Sequence, residues 1–108
     1  MAYFLLQGAY TPEAWSTLVK NPVNRTEAVR PVVEKLGGSI ESSFFAFGEY
    51  DLVLILRMPD NVSAAAFALA IAAGGAFKAH KTTPLMSTEE GLEALRKAGE
   101  SGYRPPGS

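Results

Sequence analysis

The sequence predicts an α+β fold in which a small antiparallel sheet carries helices on one side and needs a second cover on the other. Three observations lead there. Strand-like apolar segments alternate along the chain with stretches that carry helix caps and helical spacing. Two of those segments, Ile40 to Phe47 and Tyr50 to Arg57, meet across Gly48-Glu49 and read as a hairpin. Both alternations of that hairpin are apolar at their centres, so neither face of the sheet is suited to water.

Tyr3 to Tyr10 is the first strand, with Tyr3, Leu5 and Ala9 on one alternation and Phe4, Leu6 and Tyr10 on the other. Thr11-Pro12 then opens a short helix to Lys20, threonine as the cap and proline at the first helical position. Asn21-Pro22 breaks it. A second helix is predicted from about Arg25 to Leu36, where Val29, Val32, Val33 and Leu36 fall on one face. Pro31 removes a helical donor and crowds the preceding turn, which predicts a kink or a late start near Arg30. Gly37-Gly38 ends the helix.

For the hairpin, glycine first in a two-residue loop predicts a type II′ turn pairing Phe47 with Tyr50, Phe45 with Leu52 and Ser43 with Leu54. That register puts Glu41, Ser43, Phe45, Phe47, Tyr50, Leu52, Leu54 and Leu56 on one face. Ile40, Ser42, Phe44, Ala46, Asp51, Val53, Ile55 and Arg57 take the other. Asp60 or Asn61 caps the next helix, Val62 to Ala73, which carries no charge and is therefore expected to be buried all round. Gly74-Gly75 stops it. These glycines follow a helix and no Lys-Ser/Thr completes the motif, so they read as a cap and not as a phosphate loop. Phe77 to Pro84, with lysines on both alternations, reads as an edge strand. Ser87 to Glu90 is a capping box that opens a last helix with Leu92 and Leu95 inward and Gly99 at its end.

The order strand, helix, strand, strand, helix, strand is the split βαβ unit doubled. It predicts a ferredoxin-like βαββαβ plait, its four-stranded antiparallel sheet ordered 4-1-3-2, plus a C-terminal helix. At 108 residues the chain is one domain, expected over residues 1–99, with a flexible tail over 100–108 that is rich in Gly, Ser and Pro. Because two apolar faces on so short a chain need an external cover, a homodimer or larger homo-oligomer is expected.

Composition removes several functions. With 47% hydrophobic residues the chain is not of disordered composition, and at a net charge of −1 it has no basic stripe for nucleic acid. Without cysteine, thiolate metal sites and disulfides are excluded. One histidine and no HxxxH spacing leave no metal site to expect, and no cofactor is expected. Val62 to Ala73 is too short to span a bilayer and the N-terminus does not read as a signal peptide, so the expected location is cytoplasmic.

Gly48-x-Tyr50-Asp51 followed by Leu52-Val53-Leu54-Ile55, Pro59-Asp60 and an alanine-rich helix resembles the GYD domain family of small bacterial proteins. Thr11-Pro12-Glu13, Asn21-Pro22 with Arg25, Leu36-Gly37-Gly38 and Thr88-Glu89-Glu90 extend the resemblance over most of the chain. The effector-binding domain of leucine-responsive regulators carries a similar Gly-x-Tyr-Asp hairpin in the same fold. The resemblance implies a dimeric α/β barrel, two such sheets packed face to face, and no general activity. FKAHKTTPLM at Phe77 to Met86 departs from the threonine-rich strand expected there.

The candidate site gathers His80, Gln7 and Asp51, which come from neighbouring strands in the order 4-1-3 and are expected on one face. A histidine beside a carboxylate relays protons or holds a polar ligand. The structural alternative has Asp51 satisfying backbone donors or pairing with Arg25 or Arg30, and His80 exposed on an edge. Trp15, Tyr3, Tyr10 and Tyr50 are amphipathic aromatics suited to a pocket rim, or to the core or an interface with their polar tips at the edge. Three readings result: a self-associating module that binds a small, partly apolar ligand, a cofactor-free monooxygenase- or isomerase-like enzyme using Asp51 and His80, and a structural assembly subunit.

Overall fold

The computed structural model describes Met1–Gly107, and within it the chain runs β1 (Ala2–Tyr10), α1 (Pro12–Lys20), α2 (Arg25–Lys35), β2 (Ser39–Phe45), β3 (Leu52–Met58), α3 (Asn61–Ala73), β4 (Phe77–Leu85) and α4 (Thr88–Gly99). The strands form one antiparallel sheet ordered β2-β3-β1-β4, the ferredoxin-like arrangement expected from the element order. Residues 100–107 carry no helix or strand, and the tail expected over 100–108 ends one residue beyond the described ones.

One face of the sheet holds the core. Phe4, Leu6 and Tyr10 of β1 and Leu52, Leu54, Leu56 and Met58 of β3 pack with Val33 of α2 and Ala64 and Phe67 of α3. The opposite face, with Leu5 and Gln7 of β1 and Val53 and Ile55 of β3, is half-buried at its centre. It is open toward β2, where Phe44 is exposed.

The dimeric α/β barrel that the resemblance implies is corrected here. The sheet is open, with β2 and β4 as its two edges. Strands twist by only some 20–25° against each neighbour and closure takes about eight of them, so four leave the edges well apart. Two apolar faces demand cover; they do not demand closure.

Local expectations fail where regular periodicity is interrupted. β2 and β3 slip by one residue between Ile40 and Ser42, so Ile40 pairs with Leu56 and joins the core face instead of the opposite one. Phe45 pairs with Leu52 and Ser43 with Leu54 as predicted, but the ladder stops there and Phe47 is fully exposed. Gly48 is not at positive φ, so the type II′ turn is absent and the connection is a wider loop. Pro31 lies inside α2, which starts at Arg25 and not near Arg30: the Asn24 side chain accepts the Glu27 N–H at 3.2 Å and caps it there. Gly37, at φ 88°, ends that helix in the left-handed conformation.

The two later helices are less covered than their sequences suggest. α3 buries only Ala64 and Phe67, while Val62 and Leu69 on its outer side are 78% and 69% exposed. In α4 the capping box forms as expected, yet Leu92 and Leu95 are 47% and 69% exposed and no residue is buried. The radius of gyration, 17.4 Å, exceeds the roughly 13 Å of a compact 100-residue domain, and the long axis reaches 59 Å. No described helix is long and apolar enough to cross a membrane.

Candidate functional site

The functional geometry is set where β1 ends. Its pairing with β3 stops at Gly8 opposite Leu52, leaving the Tyr10 N–H beyond the ladder. Asp51 supplies the missing acceptor: its Oδ2 takes the Tyr10 N–H at 3.0 Å. The Asp51 N–H donates to the Gly8 carbonyl at 2.8 Å, and its own carbonyl accepts from the Ala46 N–H at 2.8 Å. Asp51 therefore clamps the hairpin tip to the end of β1, and the residue it holds in place is Tyr10.

Beyond Tyr10, the Thr11 N–H donates to the Ala76 carbonyl at 2.9 Å while the Thr11 hydroxyl caps α1 through the Ala14 N–H at 3.0 Å. A register shift between Ala9 and Tyr10 skips Lys78 and brings Phe77 opposite Tyr10. The two rings stack with centroids 4.6 Å apart, and Trp15 meets Tyr10 edge-on at 5.1 Å. Gly8 makes room for this: a Cβ there would stand 2.5 Å from the Phe77 ring, so only glycine lets that ring lie across the strand.

Between sheet and helices two cavities share Tyr10, Arg25, Gly74 and Ala76. The inner one, about 210 Å³, is walled by Leu6, Val29, Leu54, Phe67, Ile71 and Phe77 among others. The outer one, about 440 Å³, opens along α1 past Glu13, Thr17 and Asn21. A third, about 510 Å³, between α2 and β2, also includes Arg25. Arg25 is the first residue of α2 and stands where all three meet.

Tyr10 is 2% exposed, yet its Oη has no hydrogen-bond partner among the described residues. Burial pushes its phenol above the ordinary 10.0; the nearby Arg25 guanidinium pulls it back, and the Asp51 carboxylate adds a smaller upward push. Arg25 thus acts on the phenol by its charge and by a side-chain approach longer than an ordinary hydrogen bond, and neither ion pair among the described residues involves it. Arg57 Nε and Thr82 Oγ1 are also buried without partners. Neither residue lines these cavities, and the Arg57 guanidinium lies over the Tyr3 ring at 5.6 Å, on the open face.

The candidate residues from the sequence divide. His80 sits opposite Gly8, and Gln7 opposite Lys81. Opposed residues share a face and successive ones alternate, so Gln7 and His80 point to opposite sides of the sheet and the expected common face is corrected. His80 is exposed on edge strand β4, and no described hydrogen bond or ion pair joins it to Asp51. Gln7 and Tyr50 meet on the open face, in a depression of about 440 Å³ with Phe47, Val53 and Lys81. Trp15 lines a separate cleft of about 220 Å³ with Phe45, their ring centroids 6.3 Å apart. No group of three or more His, Asp or Glu among the described residues stands close enough to hold a metal ion.

The sequence reading named Arg25 only as a partner for Asp51, and Tyr10 only as one of four aromatics that could rim a pocket; it did not bring the two together. The available signal was Arg25 directly after the Asn24 cap, where a long cationic side chain at a helix start opposes the helix dipole. The bulge that builds the Tyr10–Phe77 stack left no sequence signal.

The family model of the GYD domain matches residues 4–95. No curated protein and no solved structure matches the chain.

Proposed function

The chain belongs to the GYD domain family, and we propose that it is a self-associating module that binds a small, partly apolar ligand in the cleft between sheet and helices. One observation carries the binding half of this reading. Two cavities that share lining residues and have largely apolar walls converge on a buried tyrosine whose hydroxyl has no hydrogen-bond partner among the described residues. Apolar clefts with a few convergent polar groups are the usual form of small-molecule sites. A polar atom left unpaired inside a folded chain costs stability that a ligand can return.

The self-association half rests on the open face. Leu5, Val53, Ile55, Phe44 and Tyr3 form an apolar surface that no helix of the same chain covers, and the outer side of α3 adds Val62 and Leu69. Contiguous apolar surface of this kind marks interaction sites. Both surfaces suit a second copy of the chain, and the outer side of α3 also supports the assembly-subunit reading. With its balanced charge and no cysteine, the module fits a cytoplasmic setting.

Neutral apolar probes test the binding half. Benzyl alcohol or hexanol, added while amide chemical shifts are followed, is expected to move Leu54, Ala70 and Ala76 first. Shifts confined to the open face, or none at all, sink the cleft reading. Light scattering tests the other half: a monomer at high micromolar concentration would remove self-association.

A further inference from the structure

We infer that the ligand is a small monoanionic acid with an apolar body, its carboxylate held by the Arg25 guanidinium and the Tyr10 hydroxyl at the junction of the inner and outer cavities. This rests on the cleft reading above and names the ligand class for it. In the inner cavity Tyr10 and Arg25 are the only lining residues with polar side chains, and both are hydrogen-bond donors toward an anion. Every other wall residue there is aliphatic, aromatic or glycine. A site with one cation, one hydroxyl and an otherwise hydrocarbon wall matches a carboxylate on an apolar stem.

Charge favours the same assignment. Arg25 is half-buried and takes part in neither described ion pair. Arg30 of the same helix, by contrast, is bound to Glu27 at 3.0 Å. A guanidinium removed from water without an anion is costly, and its planar fork matches a carboxylate in two parallel bonds. The Asp51 carboxylate is turned to the Tyr10 backbone N–H and lines neither cavity. Glu13 rims the outer cavity, away from the inner one, so an anionic head is favoured at the inner junction and not at the mouth. Volume limits the body. At about 210 Å³ the inner cavity is below the roughly 300–1,000 Å³ of drug-sized sites, which suits a medium-chain fatty acid or an aryl acetate.

Trp15, the one tryptophan, lies edge-on to Tyr10 and reports occupancy by its fluorescence. The full chain is titrated with octanoate and phenylacetate, and in parallel with their methyl esters. The acids are expected to bind roughly ten- to a hundredfold more tightly than the esters, the range of a charge-assisted contact. Arg25→Gln is expected to erase that preference, Arg25→Lys to keep part of it, and Tyr10→Phe to weaken acids severalfold while leaving esters unchanged. Should Arg25→Gln fail to fold, the acid-to-ester ratio of the unmodified chain and the Arg25→Lys variant still decide. Equal binding of acids and esters overturns the anion assignment and leaves the cleft reading standing. Binding of neither overturns both.

Discussion

On the helix-bearing face of the sheet Leu6, Leu54, Leu56 and Met58 are at most 1% exposed, whereas on the other face Tyr3 and Phe44 are 43% and 62% exposed. The alternation along β3 makes the contrast sharp, because Leu54 and Ile55 are neighbours of similar hydrophobicity placed on opposite sides. The sequence assigns both sides the same chemistry. What differs is the cover: α1, α2 and α3 all pack on one side, and none reaches the other. Apolarity in a strand thus reports how many faces require shielding, and only the three-dimensional arrangement reports which shield the chain itself provides.

Substitution at that neighbouring pair gives the largest expected effect. Leu54→Ala opens a cavity in the closed core and is expected to cost about 2–5 kcal/mol, read from urea unfolding. Ile55→Ala in dilute solution is expected to cost clearly less, since its side chain is only partly buried. Equal losses at the two positions would mean that the open face is covered even in dilute solution. Ile55→Asp sharpens the point: it is expected to lower the dilute melting temperature, by less than Leu54→Asp does, and to abolish any rise of that temperature with concentration, the signature of association.

Most of the plait was legible because its signals are local and redundant. Thr11, Asp60 and Ser87 cap helices where their residue types predict, each accepting a backbone N–H. Phe45 and Leu52 pair because alternation fixes register on both sides of the loop. The misses arise where one residue is inserted into a ladder. A bulge beside Glu41 turned Ile40 toward the core, and a bulge at Lys78 placed Phe77 against Tyr10. Such insertions leave composition and periodicity almost unchanged while inverting the face of everything beyond them. The same arithmetic separated Gln7 from His80. The candidate site was legible in part: Asp51 was singled out, but the residue it positions, and the cationic partner of that residue, lie in elements far along the chain.

At the edge of the closed face, Asp51 gives the next largest effect. Asp51→Ala leaves the buried Tyr10 N–H without an acceptor and is expected to cost about 1–3 kcal/mol. Asp51→Asn keeps an acceptor oxygen and is expected to cost less. His80→Ala, on the exposed edge strand, is expected to stay within about 0.5 kcal/mol. A chemical-denaturation series orders the three, and a His80→Ala loss as large as that of Asp51→Ala would show that His80 contributes to the closed face after all.

The smallest effects are the pH dependences, and they fall on different parts of the molecule. Tyr10 belongs to the closed face, and burial raises its pKa above 10.0. Its folded form holds the proton more tightly than the unfolded chain, so its contribution is complete below pH 10.0 and declines as pH rises from there toward the folded value. Tyr10→Phe is expected to remove that alkaline decline. Asp60 and Glu90 are exposed cap carboxylates, lowered from 3.8 and 4.5 by the hydrogen bonds they accept from Ser63 and Ser87. Their contributions are present above those ordinary values and disappear as pH falls through the lower folded ones. Asp60→Ala is expected to flatten the acid side of the stability profile and leave the alkaline side unchanged. Melting temperatures across the pH range separate the two, and an alkaline decline that survives Tyr10→Phe would place the responsible group outside the closed face.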